Sequence, residues 1–256
     1  MVHKDGWIEL EVSEFAEWLK SQRVVRAIKL IQLHHTASPD YANWSKRPDG
    51  IFWQSSMKNS HLDRGYSDIA QHFTICPNGQ IVTGRSLNIN PAGIKGANTG
   101  AICIEVFGNF DTGGDIMTVE QEHSILTVVS ELLKRFNLSS KNITYHAWWT
   151  ASGKSLGDYK RGSSAKTCPG TAFFGGNTKQ AFESVFVPEL KKYLSEEEID
   201  MKEIERINEV LTLVGQDIQK LLTMVEGVAK ENTRQNEIIN LIGQDIQDIK
   251  ERIGDK

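Results

Sequence analysis

The sequence predicts an α/β domain built on a single central mixed sheet flanked by helices, followed by a long C-terminal α-helical coiled-coil segment. Two observations predict this class. Through residues 1–194, short runs of branched apolar residues alternate with amphipathic runs, a pattern typical of one sheet covered by helices. From residue 204 onward, frame positions that are mostly apolar recur at alternating intervals of three and four, which is the period of a coiled coil.

The overall composition is that of an ordinary globular protein. The chain has 256 residues, of which 39% are hydrophobic and 24% charged, and this length suits one or two domains. It has no apolar run long enough for a transmembrane helix, and no basic stripe typical of nucleic-acid binding. The first residues lack the basic and apolar regions of a signal peptide, so we expect synthesis in the cytoplasm without export by that route.

A change in composition divides the chain near Leu194–Ser195. All six prolines lie at or before Pro188, and no aromatic residue follows Tyr193. Residues 195–256 hold 15 acidic and 8 basic residues, a net charge of −7, whereas residues 1–194 carry a net charge of +3. We therefore predict a separate globular domain over residues 1–194 and a helical oligomerisation or targeting segment over residues 195–256.

The first half of the N-terminal domain is predicted to contain a helix, a strand and a hairpin. Glu11–Gln22 places its large apolar residues on one face of a helix. Ile28–Leu33 is rich in branched apolar residues and indicates a strand that runs directly into His34. Residues 70–83 indicate a β-hairpin, because Asn-Gly separates two apolar runs.

The second half of this domain is predicted to contain two strands and two helices. Ala101–Phe107 indicates a central strand, and residues 142–145 form a short strand that ends at His146. Between them, Thr118 and Gln121 form a capping box at the start of an amphipathic helix. Residues 182–194 are predicted to close the domain as a helix.

The heptad frame of the tail runs without interruption from residue 204 to residue 253. A polar pair, Asn232 and Gln235, lies in its middle. The other frame positions are apolar: Ile204, Ile207, Leu211, Val214, Ile218, Leu221, Val225, Val228, Ile239, Ile242, Ile246, Ile249 and Ile253. β-branched residues at both seam positions favour three or four strands over two, so we predict a homo-oligomer, a trimer or tetramer, through residues 200–253. The alternative is an antiparallel hairpin of the two halves that turns near residues 230–236.

Three residues with metal-binding side chains lie where predicted strands end or loops begin: His34, His146 and Cys168. Two imidazoles and one thiolate suit zinc and leave a fourth position for water, whose pKa the metal lowers to ~7. The long intervals between these residues do not establish a site, because a lone histidine usually has a structural hydrogen bond and a lone cysteine is usually a small buried hydrophobe.

Seven short motifs surround these residues in a fixed order. They are Leu33-His-His-Thr-Ala-Ser38, Ser67-Asp-Ile-Ala-Gln-His-Phe73, Asn78-Gly-Gln-Ile-Val-Thr-Gly-Arg85, Gly96-Ala-Asn98, Ile102-Cys-Ile-Glu-Val106, Tyr145-His146 and Lys166-Thr-Cys-Pro-Gly170. Together they resemble the zinc-dependent N-acetylmuramoyl-L-alanine amidases, the type 2 amidase and peptidoglycan-recognition family. The resemblance covers about residues 25–194 and excludes the tail.

The resemblance implies a role for each matching residue. It implies that His34, His146 and Cys168 hold Zn²⁺, and that Lys166 stabilises the oxyanion formed during attack on the amide. Glu105 matches a glutamate that some members carry in the Ile-x-Ile-Glu strand, where burial would raise its pKa toward the range useful for taking a proton from water. The alternative for Glu105 is a salt bridge at the strand end.

One position departs from the pattern of many relatives. They carry a tyrosine in an Asp-Ile-Gly-Tyr stretch, where this chain has Gln71, and an amide side chain is unable to act as a general base. We expect the remaining histidines in these motifs and helices to be structural or exposed. His35 packs or orients a neighbour, His72 lies on the face opposite to Gln71, and His61 and His123 are exposed. The interval of residues 147–167 is long and aromatic, so it either lines a substrate groove or packs as a loop.

The resemblance implies a hydrolase of bacterial peptidoglycan. A zinc-activated water would cleave the amide between N-acetylmuramic acid and the L-alanine of the stem peptide, as in an endolysin or autolysin that reaches the wall after holin-type release or lysis. Three alternatives remain: a non-catalytic peptidoglycan-recognition module, an assembly protein whose main feature is the coiled coil, and a cytosolic wall-recycling amidase. The last of these gives the tail no use.

Overall fold

The computed structural model describes the backbone of residues 1–254, and the side chains of that range except residues 194–205, 249, 253 and 254. The chain divides into two units, Met1–Ser195 and Glu196–Lys256. In the part of the chain that is described, no helix is long and apolar enough to cross a membrane.

A seven-stranded mixed sheet forms the centre of the first unit, which confirms the predicted class. Its strands are β1 (Val2–Lys4), β2 (Trp7–Leu10), β3 (Leu30–His35), β4 (Phe73–Ile75), β5 (Ile81–Thr83), β6 (Ala101–Val106) and β7 (Ile143–Tyr145). They lie in the order β1-β2-β5-β4-β6-β3-β7. The pairs β1–β2, β2–β5 and β5–β4 are antiparallel. Strands β4, β6, β3 and β7 run parallel to one another.

Helices cover both faces of this sheet. Their bounds are α1 (Phe15–Ser21), α2 (Tyr41–Lys46), α3 (Gly50–Asp63), α4 (Val119–Phe136), α5 (Lys179–Ala181) and α6 (Val187–Gly254), with a π-helical turn at Phe182–Phe186 between the last two. A larger hydrophobic cluster takes in residues of α1 and α4, and a smaller one takes in residues of α3. Ile81 belongs to the first cluster and Val82 to the second, so the clusters lie on opposite faces, because neighbouring strand residues point to opposite sides.

The parallel strands bring polar side chains together on the α3 face. Leu33, Ile75 and Ile104 belong to the larger cluster on the other face, so the residues that alternate with them point toward α3. In register, Thr74 of β4 lies opposite Glu105 of β6, and Glu105 lies opposite His34 of β3. The sheet therefore presents a row of three polar residues on the face that α3 covers.

The predicted capping box at Thr118 is only half formed. The Thr118 side chain accepts a hydrogen bond from the Gln121 backbone N–H, as predicted. The Gln121 side chain does not return to Thr118; instead, its Nε2 donates to the carbonyls of Ile75 and Phe107, at 2.9 Å each. Gln121 is fully buried, and buried carbonyls at strand ends need donors more than an exposed helix start does.

Several elements escape the sequence prediction. Strands β1 and β2 and helices α2 and α3 were not predicted, and the helix predicted for residues 11–22 is shorter, at Phe15–Ser21. Helix α3 has no clear apolar stripe, because its buried positions include Gly50 and Gln54 beside Ile51 and Met57. A helix without a stripe gives no periodic signal.

The tail is a continuous helix. Helix α6 continues past residue 194, where the closing helix was predicted to end, and runs without a break through residues 230–236. The hairpin alternative is therefore wrong, and the heptad positions with described side chains are exposed, among them Ile218 (52%) and Ile242 (52%). The heptad residues Ile204, Ile249 and Ile253 lie outside the described side chains.

Replacement of Gln121 by leucine tests the link between α4 and the sheet. We expect Gln121→Leu to lower the free energy of unfolding by about 2–4 kcal/mol, because the buried Phe107 carbonyl loses its donor and the Tyr41 hydroxyl loses its acceptor, while the Ile75 carbonyl keeps only the Phe107 N–H. All six tryptophans lie in residues 1–194, so their fluorescence during urea denaturation reports on this unit. Glu120→Gln, at the exposed preceding residue, is the control and should change stability by less than about 0.5 kcal/mol. Equal effects of the two variants would contradict this account of Gln121.

Candidate metal centre

Three side chains meet at the carboxyl edge of the parallel strands. His34 lies in β3, and His146 follows β7, whose Tyr145 pairs with Leu33. Cys168 comes from a distant loop. The nearest donor atoms of His34, His146 and Cys168 all lie within 4.8 Å of one another. His34 Nδ1 lies 3.5 Å from Cys168 Sγ, and the two imidazole centroids are 5.0 Å apart.

Backbone hydrogen bonds hold the cysteine in this position. The Ala147 N–H donates to the Cys168 carbonyl at 2.7 Å, which ties the loop to the residue after His146. The His35 N–H donates to Cys168 Sγ at 3.3 Å. The Asn177 side chain donates to the Thr167 carbonyl at 2.7 Å. The thiol is therefore fixed against the ends of two strands.

Burial sets the protonation of the three groups. It lowers the pKa of His34 well below its ordinary value and that of His146 to about 4, so each ring is neutral near pH 7 and keeps a free lone pair. Burial raises the pKa of the Cys168 thiol, since a thiolate without a counter-charge is costly in this environment. A bound divalent cation would supply that counter-charge.

The donor set fits a zinc ion. Bonds of ~2.0 Å to nitrogen and ~2.3 Å to sulfur at a tetrahedral angle place the two donor atoms about 3.5 Å apart. The distance between His34 Nδ1 and Cys168 Sγ is 3.5 Å. Two neutral imidazoles and one cysteine are ligands that zinc prefers. The other ring nitrogen of His34, Nε2, is buried without a hydrogen-bond partner, so no protein acceptor competes for the orientation of this ring.

Glu105 and Lys166 lie in the same cleft as these three residues. Burial raises the pKa of the Glu105 carboxyl to about 8, and the Lys166 ammonium partly opposes this shift. The nearest carboxylate oxygen of Glu105 lies within 4.8 Å of donor atoms of His34 and Cys103. Within the described residues Glu105 has no ion pair within 4.0 Å, so the alternative of a strand-end salt bridge is not observed.

The cleft has a volume of about 620 Å³ and is walled by α3 and by the loop after β3. Sequence reasoning missed the α3 wall, to which Trp53 and His61 of α3 and Arg64, the residue that follows it, contribute. The prediction that His61 is exposed is wrong: it is partly buried, and its Nδ1 accepts from the Ala70 N–H at 3.2 Å. Burial lowers the pKa of His61 to about 4, with a smaller contribution from Arg64.

The other histidines have the structural roles predicted for them. His35 Nδ1 accepts from the Phe110 N–H at 3.1 Å. His72 Nδ1 accepts from the Cys103 N–H at 2.9 Å, and its Nε2 lies 2.9 Å from the Ile89 carbonyl. His123 is exposed.

The interval of residues 147–167 packs as a loop rather than lining a groove with its aromatic residues. Trp148 is buried, and its Nε1 donates to the Asn177 carbonyl at 2.7 Å. Trp149 Nε1 donates to Thr144 Oγ1 at 2.9 Å, and Tyr159 packs against the larger cluster. From this interval, the described wall of the cleft includes Lys166 and Thr167 but neither tryptophan.

Comparison with known proteins identifies the family. The family model described as N-acetylmuramoyl-L-alanine amidase (Amidase_2) matches residues 24–171. The chain belongs to this amidase family. The match agrees with the ordered motifs and leaves the helical tail of this amidase-family chain outside the matched region. Among curated proteins, none is significantly similar to the chain.

Solved structures similar to this amidase-family chain come from bacteria and insects. The endolysin N-acetylmuramoyl-L-alanine amidase LysCS from Clostridium intestinale is 22% identical, with a TM-score of 0.46 over 66% of this chain and 85% of that chain. Drosophila PGRP-LB is 20% identical, with a TM-score of 0.46 over 60% of this chain and 81% of that chain. Bumblebee PGRP-SA is 18% identical, with a TM-score of 0.46 over 63% of this chain and 83% of that chain.

Metal analysis of the purified full chain tests the donor set. We expect about one zinc ion per chain, and a loss of at least about tenfold in zinc affinity for Cys168→Ser, because a hydroxyl replaces the thiolate. Competition with a chromogenic chelator measures the affinity. Cys76→Ala is the matched control, since Cys76 is also buried and free but belongs to the smaller hydrophobic cluster. Wild-type affinity in folded Cys168→Ser would exclude Cys168 as a ligand.

Proposed function

We propose that this amidase-family chain is a zinc-dependent hydrolase of bacterial peptidoglycan that cleaves the amide bond between N-acetylmuramic acid and the L-alanine of the stem peptide. One observation carries the proposal. The donor atoms of His34, His146 and Cys168 converge at a sheet edge, and Glu105 and Lys166 lie in the same cleft. Amide hydrolysis needs an activated water, a group that transfers a proton and a positive charge near the oxyanion, and a metal centre beside a carboxyl and an ammonium group can supply these.

His34, His146 and Cys168 would hold the metal, and family members typically use zinc. When bound, zinc lowers the pKa of water to ~7 and polarises the amide carbonyl. With these three residues as ligands, a tetrahedral zinc would keep a fourth position for water or substrate. This complete donor set favours a catalytic chain over a recognition module that lacks the metal-binding cysteine.

Glu105 would move the proton. Its carboxylate accepts a proton from the attacking water and passes it to the nitrogen of the leaving L-alanine, so the amine departs neutral. Burial raises its pKa to about 8, and a bound divalent cation nearby would lower that pKa, so the carboxylate form that accepts the first proton is available near neutral pH. Lys166 would place its ammonium group against the negative oxygen of the tetrahedral intermediate.

Replacement of Glu105 by glutamine tests the function and this role together. Wild type should release new amino termini from purified cell walls, and end-group analysis should identify them as L-alanine. Glu105→Gln should retain zinc and lower the rate by about 10²–10⁴-fold, because the amide side chain is unable to accept the proton. Loss of zinc from the variant would instead make Glu105 a ligand or a structural residue.

The control for this experiment is Glu183→Gln, an exposed carboxylate outside the cleft, which should hydrolyse walls at the wild-type rate. Wild-type turnover in Glu105→Gln would remove Glu105 from the mechanism. Binding of walls by the wild type without release of any amino terminus would favour the recognition module and contradict the proposed hydrolysis.

The tail supports a second proposal, that the chain forms a homo-oligomer through residues 200–253. The seam residues are exposed along the described part of the helix, for example Leu211 (62%), Val225 (64%) and Ile239 (64%). A row of apolar side chains at heptad spacing is stable in water only against other helices. Because the helix does not fold back at residues 230–236, the partner helices would come from further copies of the chain.

Light scattering on the full chain measures the assembly. We expect a mass three or four times the 28.7 kDa of one chain, because β-branched residues predominate at both seam positions. Ile218→Asp combined with Ile242→Asp should give a monomer, since each change buries a charge in the seam. Gln216→Asp, on the outer face of the same heptad, is the control. A monomeric wild type would contradict the proposed oligomer, and a dimer would contradict its predicted size.

A further inference from the structure

Gln71 lies in the wall of the cleft, two residues before β4, and a chain of hydrogen bonds fixes the orientation of its side-chain amide. The chain starts at Gln54, whose Nε2 donates to the Thr83 carbonyl at 2.9 Å. Gln54 Oε1 therefore faces Thr74 and accepts the Thr74 hydroxyl hydrogen at 2.6 Å. That hydroxyl has no second hydrogen, so it can only accept from Gln71 Nε2, at 3.0 Å.

This relay leaves Gln71 Oε1 as a fixed acceptor without a donor. Gln71 Nε2 also points toward Met57 Sδ at 3.8 Å, so both of its hydrogens face the protein. Gln71 Oε1 is buried and has no hydrogen-bond partner among the described residues. The whole residue is 0% exposed, and it belongs to the residues that line the cleft. A buried amide oxygen without a donor is costly and marks a place where a ligand can bind.

The position of the acceptor relates it to the proposed chemistry. Gln71 contacts Thr74 of β4, Thr74 lies opposite Glu105 of β6, and Glu105 lies opposite His34 of β3. Across the sheet, Glu105 therefore lies between the Gln71 amide and the metal-binding histidines. This row allows a substrate to lie with its carbonyl oxygen at the metal side and its nitrogen toward Glu105 and the β4 side.

We propose that Gln71 Oε1 accepts a hydrogen bond from the N–H of the scissile amide. Gln71 is unable to hold the carbonyl oxygen, because its own hydrogens are already used. The N–H is the donor that a secondary amide offers. During attack the amide nitrogen gains a lone pair, and a hydrogen bond that holds the N–H directs this lone pair toward Glu105. This inference rests on the proposed amidase function and adds a group that selects amides over esters at the same bond.

A pair of substrates that differ in one atom tests this bond. A soluble muramoyl-L-alanyl peptide is compared with its ester analogue, in which L-lactate replaces L-alanine, so oxygen replaces the N–H. In the zinc-loaded full chain, Gln71→Met should lower kcat/KM for the amide about three- to tenfold more than for the ester, which corresponds to one neutral hydrogen bond. Methionine has similar volume and offers no comparable acceptor.

Two further variants separate a positioning role from a structural one. Thr74→Val removes the hydroxyl that fixes the Gln71 amide, so this amide can flip. We expect a smaller loss of kcat/KM than in Gln71→Met, again larger for the amide than for the ester. Thr74→Val also provides the test if Gln71→Met fails to fold. Gln80→Met, in the hairpin turn outside the cleft, should leave both substrates unchanged. An equal loss on amide and ester in folded Gln71→Met would overturn the inference and assign Gln71 a structural role or a bound water.

Binding to the metal-free full chain gives a readout that does not depend on turnover. Calorimetry should show the amide bound about three- to tenfold more tightly, relative to the ester, by wild type than by Gln71→Met. If wild type cleaves neither substrate but shows this preference, the proposed function fails and the inference about Gln71 stands. If wild type cleaves the amide and the variant keeps the same preference, the inference alone fails.

Discussion

The in-register parallel pairing of β6, β3 and β7 is the constraint on which the site depends. Parallel strands end at the same edge of a sheet, so residues far apart in the chain become neighbours there. The pairing sets Glu105 opposite His34 and Leu33 opposite Tyr145, which precedes His146. A shift of one residue in β3 would turn His34 into the hydrophobic core on the opposite face. The register therefore fixes both which groups meet and which face they share.

On the α3 face of the sheet, several polar atoms are buried, and some of them have no hydrogen-bond partner. Among the described side chains, Gln32 Oε1, His34 Nε2 and Gln71 Oε1 are buried without a hydrogen bond. Folded proteins pair most such atoms, so several together on one face are unusual. Burial also keeps His34 neutral and raises the pKa of Glu105. The free energy lost by burying these polar groups can therefore be recovered when a metal ion or a substrate binds to them.

The sequence predicts the parts of this arrangement that repeat or belong to motifs. Branched apolar runs identify β3 and β6, and the ordered motifs select His34, His146 and Cys168 from seven histidines and three cysteines. The α3 wall was not predicted, because a helix with buried Gly50 and Gln54 has no apolar period. The fixed acceptor of Gln71 was also beyond prediction, since it depends on hydrogen bonds from Gln54 to residues 20 and 29 positions further along the chain.

The two units solve the problem of a hydrophobic core differently, and the difference bears on how a wall hydrolase would meet its substrate. The first unit buries its apolar residues on both faces of a sheet, whereas the described tail leaves its seam exposed. Peptidoglycan is a polymer with the same bond repeated many times. An oligomer that engages several such bonds would gain effective concentration without a new contact at any one cleft. A site of modest affinity, with a few fixed polar groups for one amide, would then suffice for tight attachment to the wall.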